Sequence, residues 1–245
     1  MKTSRSISRN KKAQVTWFII MGIVIFMILL LVIYYTNSYI PARRLSFDKS
    51  SISSYIQSCV DKTSQDGLRL LGNQGLYINP QQYTTGQKIS YLLKDNKILV
   101  PSKEAIEQDL SSYIEHNLLT CLNNFSEFGK NAWTVSYEQP QVAASLNIQD
   151  VSLKVKFPVN VKKQDAIISI NDFSTSEDIK LLKLYDIISR IIAAQQQEKA
   201  LDLTELTRHA INLTIFPYNN ATIYVAEDPS SILINKPYTI MFATD

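Results

Sequence analysis

Residues Val15–Tyr35 read VTWFIIMGIVIFMILLLVIYY, a run of 21 residues without a charge. At about 1.5 Å of rise per residue, such a helix spans about 31 Å, the thickness of a bilayer's hydrocarbon core. Fourteen of its residues are Leu, Ile, Val or Phe. At roughly 0.3–0.6 kcal/mol each, they favour insertion by about 6 kcal/mol. A helix apolar on every side needs lipid or protein all round it, and a core helix this long and unpunctuated is unusual. The run predicts a single transmembrane helix at 15–35. It speaks to where the chain resides more clearly than to what it does there.

The flanks orient that helix. Lys2, Arg5, Arg9, Lys11 and Lys12 precede it with no acid among them, whereas the nearest charges beyond it are Arg43, Arg44 and Asp48. Excess Lys and Arg stays on the cytoplasmic side, so residues 1–14 are expected to form a cytoplasmic basic leader. The chain beyond a juxtamembrane linker at 36–46 is then extracytoplasmic, at the cell surface. Trp17 near one end, and Tyr34, Tyr35 and Tyr39 at the other, suit the two interfacial aromatic belts. A cleaved secretory signal fits poorly: its apolar stretch is normally shorter, and no small-residue A-x-A site follows this run.

Lys11-Lys12-Ala13-Gln14-Val15-Thr16-Trp17-Phe18 resembles the class III signal of archaeal type IV pilin-like membrane-anchored surface proteins. In that family a prepilin-type peptidase cuts after a small residue that follows a basic pair, leaving the apolar helix at the new N-terminus. The resemblance covers about residues 9–35. It implies a cut between Ala13 and Gln14, an archaeal envelope, and packing through the helix with itself or with other pilin-like or envelope proteins. Two positions depart from the pattern. Phe18 stands where many pilins carry a glutamate that assists filament assembly, and Ala13 replaces the commoner glycine. An uncleaved signal anchor is the other reading of the same residues.

Without the anchor, roughly 205 residues remain, enough for one substantial core or two small ones. The formal net charge of +3 belongs to the leader, because five of the 25 Lys+Arg precede the helix and leave 20 against 22 Asp+Glu, or −2. That balance argues against nucleic acid as a partner, and Lys162-Lys163 reads as a hairpin tip rather than a phosphate site. Cys59 and Cys121 each fall on the apolar face of a predicted helix. Outside the membrane a disulfide between them is the expectation, with two buried free thiols as the alternative. Closing a loop of roughly 62 residues would stabilise by about 4 kcal/mol on the chain-entropy account.

The ectodomain reads as α+β, amphipathic helices packed on an antiparallel β-meander. Residues 47–130 form its helical part with a small hairpin, and 131–245 an antiparallel sheet with helices. Pro41 should end or kink the emerging helix. A helix at about 47–72 carries Ile56, Cys59, Val60 and Leu71 at helical spacing, with Gly72 near its end. Residues 87–93 and 97–100 suit a hairpin across Lys94-Asp95-Asn96. Ser102 is a suitable N-cap for a helix at 103–123 whose stripe is Ile106, Leu110, Tyr113, Ile114, Leu118, Cys121 and Leu122. Val142 to Ile148, Val151 to Val161 and Ala166 to Ile170 then alternate with period two, and Pro158 predicts an edge or a bulge. A strand around Trp133, Val135 and Tyr137 is added to these. A long helix is expected at about 176–199, capped by Ser174 or Thr175, and a shorter one at about 203–212. Strands at 221–226, 232–235 and 238–243 follow.

Signals for chemistry are sparse. His116 lies off its helix stripe, and His209 follows Glu205 by four residues and Asp202 by seven, which makes an ordinary surface pair rather than a zinc site needing two histidines. No G-x-S-x-G, P-loop or G-x-G-x-x-G occurs. Asp61/Asp66 and Glu177/Asp178 suit solvated or dipole-stabilising roles, and Ser58-Cys59 has no histidine near it in sequence. The residues thus indicate no enzyme, no catalytic residue, no metal ligand and no cofactor. Three sequons, at Asn124, Asn212 and Asn220, fall after predicted helix ends or in loops on the exterior side, where glycans fit.

These readings converge on a single-pass membrane-anchored cell-surface protein with a structural or binding ectodomain, and by the resemblance a pilin-like subunit. Its expected partners are the lipid bilayer and, through the helix, itself or other envelope proteins. A membrane-anchored extracytoplasmic hydrolase is the rival, and it needs a pocket gathering Asp, Glu or His from distant segments. An accessory subunit of a secretion or envelope complex differs in having a fixed partner. A receptor or adhesin would need an exposed apolar or aromatic patch on the meander's outer face.

Overall fold

The structure, a computed structural model, describes residues 11–126, 133–163, 166–200 and 203–245, with side chains for these except 11–20, 33–49, 163, 203 and 205. The basic leader as far as residue 10, Asp202, and the side chains of Ala13, Gln14 and Glu205 lie outside the described residues. Helix α1 spans Lys11–Asn73. Pro41, expected to end or kink a helix, lies inside those bounds. It withholds one N–H from the ladder, a loss local to one turn. The chain divides into two compact units, Met1–Ile52 and Ser53–Asp245. In the first, the side chains described from the apolar run are those of 21–32, all exposed. Among the described residues, no helix is long and apolar enough to cross a membrane.

The second unit is α+β, with two largely antiparallel sheets. One contains β1 (Tyr91–Lys94), β2 (Lys97–Ile98), β7 (Asn212–Tyr218), β8 (Ala221–Leu233) and β9 (Lys236–Thr244) in the order β2-β1-β9-β8-β7. Its β1–β9 pair alone among those five is parallel. The other contains β3 (Thr134–Tyr137), β4 (Gln141–Leu146), β5 (Val151–Lys163) and β6 (Ala166–Glu177). There β5 is central, with β3 and β4 paired along it and β6 also paired to it. Helices α2 (Lys103–Cys121), α3 (Leu181–Gln196) and α4 (Leu203–Arg208) complete the unit.

Local chemistry explains much of this. Asp95 and Asn96 take φ of 49° and 58° at the β1–β2 turn, a conformation these residues tolerate. The Ser102 hydroxyl accepts the Ala105 N–H and caps α2. Pro158 sits where β5 slips register against β6 between Lys156 and Val159, so the proline marks a bulge in a central strand. Elsewhere the structure departs from expectation. Ser174 and Thr175 do not cap a helix but pair with Lys154 and Leu153, because the 13-residue β5 templates β6 as far as Glu177. The helix expected at 176–199 therefore begins at Leu181. Strand β7 takes the residues after α4, and a bulge between Asp228 and Ile232 lets β8 run through both segments expected as separate strands. Ile148, placed in the meander's alternation, stands 72% exposed in the β4–β5 turn.

Two glycines set how closely the layers approach. A Cβ on Gly67 would stand 2.8 Å from Leu110 Cδ1 of α2, and one on Gly72 would stand 2.3 Å from the Thr239 carbonyl of β9. The α1 stretch thus lies directly on both elements. Tyr238, wholly buried, donates to the Leu68 carbonyl at 2.8 Å. Around these contacts Leu68, Leu71, Ile114, Leu153, Ile188 and Phe242 belong to one core.

Helix α2 also closes the free edge of β4. The N–H groups of Val142, Ala144 and Leu146 donate to Glu115 Oε1 (2.8 Å), Ser111 Oγ (3.0 Å) and Glu107 Oε1 (2.7 Å). Four helical residues advance about 6.0 Å and two strand residues about 6.8 Å, so the two series stay in step over three contacts. Replacing Glu107 or Glu115 with Ala should lower the unfolding free energy by about 1–2 kcal/mol each, since an edge N–H loses a charged acceptor. Urea denaturation checks this, and the Gln variants, which keep an oxygen acceptor, should lose less.

Candidate functional site

The cysteines are carried by the interior faces of α1 and α2. Cys59 and Cys121 stand at bonding distance, S–S 2.15 Å, with Cα atoms 5.7 Å apart across a sequence separation of 62. Helical spacing puts Cys59 in line with Ile56, Val60 and Thr63, all buried. The Thr63 hydroxyl donates back to the Cys59 carbonyl. Beside the disulfide, the Tyr55 hydroxyl donates to the Leu122 carbonyl at 3.2 Å. Phe125 then meets Tyr55, Tyr137 and Phe157 with ring centroids 6.5, 5.5 and 6.3 Å apart. To bring Phe125 there the chain turns through three left-handed residues, Asn123, Asn124 and Phe125, with φ of 45°, 48° and 57°. This aromatic nest was not expected from the sequence, because its members come from four elements and share no local period.

The outer face of β4–β5–β6 is polar. Its register rows are Ser145–Ser152–Ser176, Ala143–Lys154–Ser174 and Gln141–Lys156–Asp172. A shallow groove of about 500 Å³ crosses the last two rows. The apolar patch that a receptor of the expected kind requires is not on these rows.

A smaller pocket, about 160 Å³, is lined by Ile148, Lys183, Asp186, Arg190 and His209 among others. It gathers an imidazole, a carboxylate and two cations from distant segments, and no hydroxyl or thiol lines it. Lys183 Nζ donates to the His209 carbonyl at 3.0 Å and lies 3.9 Å from Asp228 Oδ2. Asp228 is fully buried in the β8 bulge. Burial works against its charge, but hydrogen bonds from the Ser230 hydroxyl and N–H and from the Ser231 hydroxyl, with Lys183 nearby, hold its carboxyl below the usual aspartate value. The Ser231 hydroxyl also accepts the Lys180 N–H at 3.0 Å, so this cluster is tied to the residue that precedes α3. Among the described residues, no group of three or more His, Cys, Asp or Glu is placed to hold a metal ion.

The remaining candidate residues are dispersed. Asn124 accepts from the Tyr137 hydroxyl at 3.0 Å, Asn212 donates to Glu227 Oε1 at 3.1 Å, and Asn220 lies in the β7–β8 turn; all three are exposed. Ala13 and Gln14 fall within α1. His116 and His209 lie on separate elements. No family model, curated protein or solved structure matches the chain.

Replacing both cysteines with serine should lower the unfolding free energy by about 4 kcal/mol, because the reduced chain regains the freedom of its 62-residue loop. Denaturation with and without reductant measures this, and an unchanged midpoint would show the bond to be idle. A second expectation concerns Glu177, which accepts from Gln65 Nε2 at 3.0 Å. Burial pushes its carboxyl above the usual value, Gln65 opposes the shift, and Asp61 and Asp178 add to it. The folded state therefore holds this proton more tightly than the unfolded chain, and ionised Glu177 costs stability at neutral pH. Glu177→Gln should raise the melting temperature at neutral pH. The gain should vanish below the ordinary value of 4.5, where the group is protonated in both states.

Proposed function

We propose that the chain is a single-pass membrane-anchored surface protein, its N-terminus cytoplasmic, held by the helix at 15–35, with residues from about 53 onward forming a structural or binding ectodomain. The observation that carries this reading is the placement of two features along α1: the uncharged run, and beyond it Cys59, at bonding distance from Cys121. Structural disulfides persist in oxidising compartments. The Lys/Arg bias of residues 1–14 independently assigns that side of the helix to the exterior. Two unrelated physical effects thus favour one topology. Within this reading, the basic pair before Ala13 favours processing between Ala13 and Gln14, after the manner of type IV pilin-like proteins, and assembly through the helix would follow.

Intact mass and N-terminal sequence of the chain from its native membrane test both parts. A chain beginning at Gln14 and resisting alkaline extraction is the expected result. A start at Met1 would remove the pilin-like processing and leave a signal anchor. Recovery in the alkaline supernatant would overturn the anchoring itself.

A further inference from the structure

Sheet edges expose unpaired N–H and C=O groups, and folded chains close or blunt them. Most edges here are so treated. β4 donates to α2, β2 has two residues, β3 has four, and β7 carries Pro217. The C-terminal end of β6 lies beside α1, where Gln57 Nε2 donates to the Ser174 carbonyl at 3.0 Å. Among the described residues, one stretch has none of these devices. Residues 166–172, Ala-Ile-Ile-Ser-Ile-Asn-Asp, are paired with β5 on one side and contain neither lysine nor proline. At about 3.4 Å per residue they offer about 24 Å of strand. Ile167 is 66% exposed, and Ser169, Asn171 and Asp172 are also exposed. The Ser169 hydroxyl bonds inward to Asn160 Oδ1, within its own sheet.

We propose that this edge pairs with the same edge of a second copy of the chain, the two β6 strands running antiparallel about a two-fold axis at Ser169. A bare strand edge is matched by another strand of equal unpaired length, and each copy carries one. Centring on Ser169 pairs residues 167–171 of the two copies, short of the register shift that precedes Asp172. Ile167 of one copy then faces Asn171 of the other, and Ile168 faces Ile170, so no like charges are opposed. Asp172 also arrives at the end of the other copy where Lys162 stands, in register with Ile167. The two-fold axis repeats that complementarity. The product is one continuous sheet running through β5 and β6 of both copies, with an isologous interface.

The test uses the full chain purified in detergent with Cys59 and Cys121 bonded. Residues facing across an antiparallel pair lie within disulfide reach, so Ser169→Cys should cross-link to itself on mild oxidation. Ser176→Cys, exposed on the same strand but away from the axis, should give about tenfold less dimer on a non-reducing gel. Adding Ile167→Lys with Asn171→Lys, both exposed, opposes lysines twice across the axis and should reduce the Ser169→Cys dimer to the Ser176→Cys level, with the thermal melt unchanged. Equal cross-linking of the two cysteine variants, or a Ser169→Cys dimer indifferent to the paired lysines, would overturn the proposal.

Discussion

The folded unit depends on the α1 stretch from Ser53 to Asn73, because α2 and a strand of each sheet are fixed against it. Cys59 ties it to α2, Gly67 lets it close on Leu110, and Gly72 lets it rest on the β9 backbone. Gln57 and Gln65 reach β6. Where the helix ends, the Leu76 N–H returns to the Leu71 carbonyl at 2.9 Å, with Gly75 at φ +72°. A side chain at Gly75 would also meet the Met241 carbonyl at 2.8 Å. The turn that stops the helix is therefore the same turn that seats it on the sheet. The helix thus sets how closely α2 and β9 approach it.

The sheets obey a related constraint. A strand edge facing a helix cannot receive a backbone ladder, yet its N–H groups still need acceptors. On β4 that need is met by side chains repeating every fourth residue of α2, and the near-equality of helical and strand advance makes this workable over three contacts. Two carboxylates serve as acceptors there, which accounts for acids on a half-buried helix face without recourse to catalysis. The buried Asp228 belongs to the same logic. Its bulge turns β8 aside, and Ser231, one of the serines that satisfy it, also accepts the N–H of Lys180, the residue that precedes α3.

Where neighbours in sequence decide the structure, the sequence was readable. The α2 stripe and its Ser102 cap, the Asp95-Asn96 turn, the alternation of β5 and the bulge at Pro158 are all local signals. Boundaries set by distant partners were not. β6 continues through residues that look like a helix cap, because β5 offers it a ladder. β7 forms from residues after the expected helix at 203–212, a segment assigned to no element, because β8 pairs with it along its full length. The cysteine pair lay open to reading because two helices each put a thiol on an apolar face. The aromatic nest around Phe125 did not, since Tyr55, Phe125, Tyr137 and Phe157 meet only after the fold has formed.

An anchor at 15–35 would change what the open edge of β6 can accomplish. In solution a five-residue strand pair must offset the loss of translational and rotational freedom of two whole chains. Copies confined to one membrane have already lost much of that freedom, and confinement raises their effective concentration as a short linker does. An edge that holds a weak dimer in dilute solution would then hold a firmer one at the surface. A disulfide-tied unit with its other edges closed or shortened, presenting one strand of defined length, is therefore suited to pairing in register with its own kind rather than to open aggregation.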